Sequence, residues 1–594
     1  MSDESAEGAP AATPRRRRRG LIWLVLGVVL VAVIGAAVWV GVRGWLAKGE
    51  LEAAASTAGV LQKHIEAGDT ADAGHAADSL VDHTGEAASL TGDPVWRLAE
   101  LVPGVGANLH AVRVLSAELD TAASDAIRPL TGLTDSIGAA SFRPVDGHVD
   151  VQPLIDAQPT VLSALGALTE ASAGVSAIKD DGLLGPIAAA RDDVAATLAK
   201  AVGVADVLEN ALRVAPTMLG ADGPRNYLIL FQNNAELRSA GGIPGALALL
   251  HTDGGTMRLT AQVAASDFAT PRQSGLPVDE TTRAIYGSLP GQFMQNVTMT
   301  PDFAVSASLA KAMWERRFGG VVDGVIAVDP VAIGYFLKAT GPVVLPDGSK
   351  LTSQNAAKSL LQDVYQRLEE PADQDAYFAE AASAAFDAVS GGNADPTKLV
   401  RALIRAGDES RVALWSADPT EQAIFASTTL GGLDAAQRSA GDQAYGVYFN
   451  DTTRAKMDAY LDVAIDTDVV PRSDERSVVT VTVTLRNSAP SDSATSLTAH
   501  VTGGGRVVPE GQIGTNVTVY SPSGAYDFGV QKDGTNVAYA SHDDGDRLVK
   551  SLGVRLSPGE STTLKFGYIS AKAGQDSPVI VHTPTMTPLE VGSL

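Results

Sequence analysis

The sequence contains no cysteine in 594 residues. This absence excludes disulfide bonds, thiolate zinc sites and cysteine nucleophiles. Secreted domains of this size need no disulfide, because a long chain can bury an adequate apolar core. Packing must therefore stabilise the chain.

Signatures of common catalytic sites are also absent. The sequence has no G-x-S-x-G, H-E-x-x-H or Walker pattern. Its nine histidines are scattered, and none lies at metal-ligand spacing from another. These absences disfavour a histidine-based zinc enzyme and a catalytic triad.

A long apolar run stands near the N-terminus. Arg15 to Arg19 are five consecutive arginines, and residues 20–42 follow without a charge. At about 1.5 Å per residue, this stretch spans roughly 34 Å, enough for a bilayer core of about 30 Å. Trp23 and Trp39 lie near its ends, where indole rings favour the membrane interface. The pattern predicts a cytoplasmic tail over 1–19 and one transmembrane helix over 20–42.

The flanking charges predict the orientation. Arginine-rich flanks stay on the cytoplasmic side, so we expect the bulk of the chain to be extracytoplasmic. A cleaved signal peptide is the alternative, but its apolar region is usually about 7–15 residues long. The Ala- and Gly-rich, Lys-poor composition suggests a bacterium with a high-GC genome. We therefore expect a single-pass protein of the cell membrane that faces the cell envelope.

The chain is acidic outside this N-terminal region. The net charge is −24, whereas residues 1–49 carry seven basic and three acidic residues, which leaves −28 for the rest. Such a body is a poor candidate for binding nucleic acid. An anionic ligand would need a local basic pocket.

Periodicity divides the remainder into three parts. Residues 45–215 show apolar residues at helical spacing and predict a helical stalk or bundle. Residues 220–430 alternate apolar runs with helical segments and predict an α/β domain. Residues 460–590 contain strands with a period of two, such as Val479 to Leu485, and predict an antiparallel β-sandwich.

A polar cluster follows the apolar run YLILF of residues 227–231. It contains Asn233, Asn234, Glu236 and Arg238 and ends in two glycines. Ligands of open α/β sheets bind outside the carboxyl ends of strands, and arginine offers a fork for phosphate. We therefore predict a ligand-facing loop here. The alternative is a plain turn with a solvated ion pair.

Three segments carry a family resemblance. They are RNYLILFQNNAELRSAGGIPGALALL, NVTMTPDF and VDGVIAVDPVAIGYFLKATGPV. They resemble the bacterial family called domain of unknown function 4012, strongly over 220–430, and the preceding helices extend the resemblance to about 45–430. That family name implies no activity.

The order of elements is more distantly similar to the LytR-CpsA-Psr phosphotransferases. Those enzymes are anchored by one N-terminal helix and move polymers from a polyprenyl pyrophosphate carrier to the cell wall. Arg238-Ser239 resembles the start of their Arg-Ser-Asp-Thr stretch, and Asp267 matches the end of their Pro-Arg-Asp motif. Ser266 stands where their pyrophosphate-binding arginine would be, and the acidic residue after Arg-Ser is missing.

This resemblance implies a set of site residues. Asp267 would be the catalytic candidate and, with Asp302, would hold Mg²⁺, since hard cations take carboxylates. Arg238 and Arg272 would meet a phosphate, and Asn233 and Asn234 would join them as ligand-binding residues. The structural alternative is that such residues cap strands and helices.

Three functions remain open at this stage. The first hypothesis is that the chain binds or helps attach a surface glycan or polyprenyl-linked precursor. The alternatives are a scaffolding envelope protein without catalysis and an active metal-dependent phosphotransferase. The sequence does not decide whether it is an enzyme.

Overall fold

The computed structural model describes residues 15–67, 69–136, 144–268, 275–392, 394–575, 577–587 and 589–593. The chain forms two compact units. One comprises Met1–Gly138 and Pro153–Arg213, and the other comprises Ala139–Gln152 and Val214–Leu594.

The first unit is helical. Its helices are α1 (Arg15–Ala67), α2 (Thr70–Thr91), α3 (Pro94–Ala99), α4 (Gly106–Thr121), α5 (Arg128–Ser136), α6 (Gln152–Ser176) and α7 (Gly185–Met218). Gln152 of α6 and residues 214–218 of α7 are assigned to the second unit. Alanines dominate the packed faces, as at Ala54, Ala73 and Ala77 where α1 meets α2. Small side chains let helices approach closely. The prediction of a long helical region after the apolar run is confirmed.

The predicted membrane span lies within α1. Among the described residues, one helix is long and apolar enough to cross a bilayer, over Trp23–Ile65. Most large apolar side chains between Trp23 and Val42 are exposed. This helix fits either a single-pass anchor or a signal sequence. It continues without a break to Ala67, so the helix is longer than the 23 residues predicted.

The second unit begins with a five-stranded sheet in the order β3-β2-β1-β4-β7. Its strands are β1 (Arg225–Arg238), β2 (Gly241–Asp253), β3 (Thr256–Ala264), β4 (Gly324–Val328) and, after a small hairpin of β5 (Val343–Val344) and β6 (Lys350–Leu351), β7 (Val412–Ser416). Only β1 and β4 pair in parallel; the other neighbours are antiparallel. The sheet is therefore mixed, because β1, β2 and β3 are joined by tight turns and not by helical crossovers.

Helices lie between and after these strands in the chain. They are α8 (Glu280–Tyr286), α9 (Phe303–Phe318), α10 (Pro330–Thr340), α11 (Ala356–Lys358), α12 (Val364–Arg367), α13 (Pro371–Ser390), α14 (Pro396–Asp408), α15 (Pro419–Ala426) and α16 (Leu433–Ser439). Asp-Pro pairs start α10, α14 and α15. In each, the aspartate accepts a backbone N–H of the first turn, and proline fits that turn because its missing N–H has no partner there.

One predicted helix starts later than expected. The sequence alone predicts a helix over 353–368, with Thr352 or Ser353 as its N-cap. In the structure the helix begins at Ala356 with Asn355 as N-cap residue, and a π-helical segment, Ser359–Asp363, joins α11 to α12. Thr352 Oγ1 instead accepts the N–H groups of Gln354 and Asn355 in a turn before the helix.

Two further sheets follow. One has the order β13-β12-β16-β10-β9-β18 and the other β14-β15-β11-β8-β17. Their strands are β8 (Ala444–Asp451), β9 (Leu461–Pro471), β10 (Ser477–Asn487), β11 (Ile513–Ser523), β12 (Tyr526–Lys532), β13 (Thr535–Asn536), β14 (Ala540–Asp544), β15 (Arg547–Leu556), β16 (Ser561–Ile569), β17 (Val579–His582) and β18 (Glu590–Ser593), with short helices α17 (Ser493–Ser496) and α18 (Ala499–Thr502) after β10. The predicted alternation is confirmed, since Val479, Val481, Val483 and Leu485 are all buried.

The second unit has a shared core. Apolar side chains of both C-terminal sheets and of α10 and α13 belong to one buried cluster. The Tyr568 hydroxyl in β16 donates to Val519 O in β11 at 3.0 Å, so the two sheets are also joined by a hydrogen bond. Residues 220–430 and 460–590, predicted as separate domains, thus pack in one compact unit.

Candidate functional site

The polar cluster after Phe231 is the second half of β1. Gln232 to Arg238 are all buried in the strand, so the predicted loop is wrong. Register shifts after Phe231 and after Asn233 bulge the strand. The cluster stays in a buried strand because its polar groups find partners far along the chain, which offsets the cost of desolvating them.

Those partners come largely from the C-terminal part of the chain. The N–H of Leu237 donates to Asp458 Oδ2 at 2.8 Å, and the N–H of Ser239 donates to Asn450 Oδ1 at 3.2 Å. Asn234 Nδ2 donates to Pro584 O at 3.0 Å. Asn234, predicted to bind ligand, is fully buried in this network, and it lines neither of the cavities described below.

Arg238 is held in the same network. Its Nη1 donates to Leu237 O at 2.9 Å and to Asp451 O at 3.2 Å, and its Nη2 donates to Asn296 Oδ1 at 3.1 Å. The guanidinium therefore has three internal acceptors, while its Nε has no partner. Arg238, predicted to meet a phosphate, is thus buried and bound to acceptors inside the protein.

Two buried carboxyl groups lie near Arg238. Burial raises the pKa of Asp451, and the charge of Arg238 opposes that shift. Burial and the charge of Asp451 raise the pKa of Asp458 well above its usual range, against the hydrogen bond from Leu237 N–H. Asp458 Oδ1 has no hydrogen-bond partner. A protonated Asp458 is favoured because desolvation disfavours the charged form.

A cavity of about 250 Å³ lies beside the bulged part of β1. Its lining is mostly apolar and comes largely from β1 to β4, from the helices α10, α12 and α13, and from the π-helical segment before α12. The apolar residues are Phe231, Ile243, Gly245, Ala246, Ala264, Ala265, Val328, Pro330, Ile333, Leu360, Leu361, Pro371, Phe378, Ala381 and Ala382. Pockets of this kind bind apolar parts of ligands, with a few polar groups that fix orientation.

The polar groups of the cavity are concentrated around Asn233. Asn233 Nδ2 donates to the Tyr365 hydroxyl at 2.6 Å. Lys456 Nζ lies 3.1 Å from Glu236 Oε2 and 4.8 Å from the centre of the Tyr365 ring. Lys456 is the one cation among the described residues of the lining, and Glu236 neutralises it. The lining therefore offers little attraction to a phosphate.

A second cavity, of about 270 Å³, shares part of this wall. Both cavities are lined by Phe231, Ala246, Ala264, Asp375 and Ala382. Asp267 lines the second cavity, where its Oδ2 accepts the N–H of Ala264 at 3.0 Å. Partial desolvation and the negative charge of Asp267 raise the pKa of Asp375, and Lys456 opposes the shift. Asp375 at the shared wall and Asp267 in the second cavity are thus close enough for their charges to interact.

The remaining predicted residues are elsewhere. Asp302 is the N-cap of α9 and accepts the N–H of Val305 at 3.1 Å. Burial and the charge of Asp434 raise the pKa of Asp302. Arg272 lies outside the described residues.

The proposed metal ligands do not form a three-residue cluster. Within the described ranges, only His64, Asp69 and Asp72 bring three potential ligand atoms within 4.8 Å of one another, and this group contains neither Asp267 nor Asp302. A Mg²⁺ site built on Asp267 would need water or substrate oxygens for most of its coordination.

Several residues of the site were not found from the sequence. Tyr365, Asp375 and Lys456 line the cavity, and Asp458 supports the strand beside it. Glu236 in a buried strand implied a cation nearby, because buried charges are paired. Nothing in the local pattern pointed to Lys456, which lies 220 residues later.

Comparisons with known proteins agree with one sequence prediction. Residues 222–365 match the family described as "Protein of unknown function (DUF4012)", which confirms the family resemblance for that stretch. The matched stretch contains β1 to β6, the helices α8 to α11 and the first two residues of α12, and thus much of the cavity lining. No curated protein gives a match.

Proposed function

We propose that this protein is a single-pass, extracytoplasmic envelope protein that holds the apolar chain of a polyprenyl-linked glycan precursor. The observation that carries the proposal is the apolar cavity beside β1. Isoprenoid chains are hydrocarbons, and transfer of apolar surface from water to such a lining is favourable by about 25 cal/mol per Å². The exposed apolar part of α1 supports the anchor.

In this proposal the protein binds the hydrocarbon chain of the lipid in the cavity and leaves the phosphate outside the cavity. The described lining contains no arginine, and its one lysine is already paired with Glu236. An active phosphotransferase would need Arg238 and Asp267 to face one cavity. Asp267 lines the second cavity, whereas Arg238 lines neither of the two. Binding is therefore better supported than transfer.

The domain assignments follow the same proposal. We interpret the mixed sheet with its helices as a LytR-CpsA-Psr-like part, supported by the order of an anchor, helices and then a sheet. We interpret the two C-terminal sheets as the predicted β-sandwich, supported by their shared core. A scaffolding function without a ligand is the alternative, because most polar groups of β1 are used internally.

Gly245 allows a direct test of the cavity. An added Cβ at Gly245 would meet no atom within 4 Å, and the residue lines the cavity. We expect Gly245→Leu to lower labelling by a photoreactive polyprenyl phosphate about tenfold, because the side chain would occupy space that the lipid chain needs. The measurement uses the full chain in nanodiscs, with labelling read by mass spectrometry.

A matched control is available in another strand. Gly553 lies in β15, and a Cβ there would meet only Asn516 Oδ1, at 4.0 Å. Gly553→Leu should label like the unmodified chain. Equal labelling of both variants, or labelled peptides from outside the cavity wall, would contradict binding at this site.

A further inference from the structure

Helix α2 returns to the point where the apolar part of α1 ends. Arg43 Nη1 donates to Ser89 O at 3.3 Å and to Leu90 O at 3.1 Å. Just beyond α2, Asp93 Oδ1 accepts the indole N–H of Trp39 at 3.3 Å. The end of α2 therefore lies level with residues 39–43, at the boundary of the predicted span.

Helix α3 is fixed at the same level. The ring of the buried Trp96 lies 3.5 Å from the position that a Cβ on Gly44 would take. Its Nε1 donates to Leu109 O at 3.0 Å, which ties α3 to α4. The segment between α3 and α4 contains Pro103-Gly104, and Gly104 has φ +82°, so the chain turns sharply there.

This turn exposes apolar side chains. Leu98, Leu101, Val102 and Val105 are all exposed, and Leu101 reaches 78%. Four large apolar residues in one short segment form a patch that a water-soluble surface rarely shows. Arg97, exposed in the same segment, adds a cation suited to lipid phosphates.

A second loop of the same unit is tied to this region. Asn108, near the start of α4, donates through Nδ2 to Gly182 O at 2.9 Å and accepts Leu184 N–H at 2.7 Å. Both bonds hold the loop between α6 and α7 beside the start of α4. Leu184 in that loop is also exposed.

We propose that residues 98–105, together with Leu184, insert into the lipid bilayer interface and form a second membrane contact beside α1. The occupant is the bilayer itself, because α3, which leads into residues 98–105, packs beside Gly44 just after the predicted span, and Asp93 before it accepts the indole N–H of Trp39 within the span. The inference rests on the proposed anchoring by α1. Such a contact would restrain the tilt of the helical unit on the membrane, since one helix alone leaves a body free to swing.

The lack of cysteine makes the test direct. A single cysteine at Leu101 can be labelled with a fluorophore without any background thiol. The full chain is reconstituted in nanodiscs, with and without lipids that carry a spin label near the head group. We expect the Leu101→Cys label to be quenched at least threefold more strongly than a label at Val204→Cys.

Val204 and Leu30 are matched controls. Val204 is 71% exposed on α7, about 28 Å along that helix from its first residue. Leu30 lies in the middle of the apolar stretch of α1, and its label should be quenched by lipids spin-labelled deep in the acyl chain. If the label at Leu30 is quenched while the labels at Leu101 and Val204 are quenched equally weakly, the second membrane contact is wrong and the anchor stands. No quenching at Leu30 would overturn the anchor.

Discussion

Replacing Asp329 with alanine is expected to lower the free energy of unfolding of the second unit by about 3–5 kcal/mol. Asp329 follows β4, is fully buried and lies 2.8 Å from Arg411 Nη1, which is itself only 4% exposed. Its other oxygen accepts the N–H of Ala332 at 2.8 Å and caps α10. The substitution leaves a buried guanidinium with Glu409 as its remaining ion-pair partner.

The measurement is urea-dependent hydrogen exchange of peptides from β4 and β7, followed by mass spectrometry. The neighbouring pair of Arg405 and Glu409 is the control, because it has a similar distance of 2.8 Å but Arg405 is exposed. Arg405→Ala should cost less than about 1 kcal/mol. Similar losses for Asp329→Ala and Arg405→Ala would show that burial does not govern the strength of these pairs.

Replacing Asp458 with asparagine is expected to change how stability depends on pH. The pKa of Asp458 is raised in the folded state, so the folded protein retains its proton to higher pH than the unfolded chain. The stability that this retained proton contributes is complete below the pKa of Asp458 in the unfolded chain, about 3.9, and is lost as pH rises through its pKa in the folded protein. Between these two pKa values the free energy of unfolding falls by up to about 1.4 kcal/mol per pH unit.

Asparagine keeps an oxygen for the N–H of Leu237 but cannot ionise. The variant should therefore gain stability relative to the unmodified chain as pH rises from 4.5 to 7.5, as measured by urea unfolding at several pH values. Asp474 is the control, because its ion pairs with Arg472 and Arg476 hold its pKa below the usual range. Asp474→Asn should show no pH-dependent difference above pH 4.5. A constant difference for Asp458→Asn would contradict the raised pKa.

The spacing of apolar residues along the sequence predicted much of the secondary structure. The period of two over Val479 to Leu485 predicts β10, and the apolar spacing over 304–318 predicts α9 to within one residue. These segments are predictable because side-chain periodicity reflects one buried face, and that face is set within the element itself. The span and the helical region were found for the same reason.

The candidate site was less predictable because its contacts are long-range. Amide and charged residues after Phe231 favour a loop when only neighbours in sequence are considered. The strand continues because Asp458, Asn450 and Pro584 supply partners from beyond residue 449. The cavity likewise depends on Tyr365, Asp375 and Lys456, which no local spacing connects to β1.

The buried half of β1 can complete its hydrogen bonds only late in synthesis. The acceptor of Asn234, Pro584 O, is made 350 residues later, and the acceptor of Leu237 N–H, Asp458, is made 221 residues later. At about 5–20 residues per second, the longer interval is roughly 18–70 s. During that time the amide of Asn234 lacks the acceptor that it has in the folded chain. The stretch 222–365 therefore cannot complete the hydrogen bonding of β1 on its own, because Asp458, Asn450 and Pro584 lie outside it.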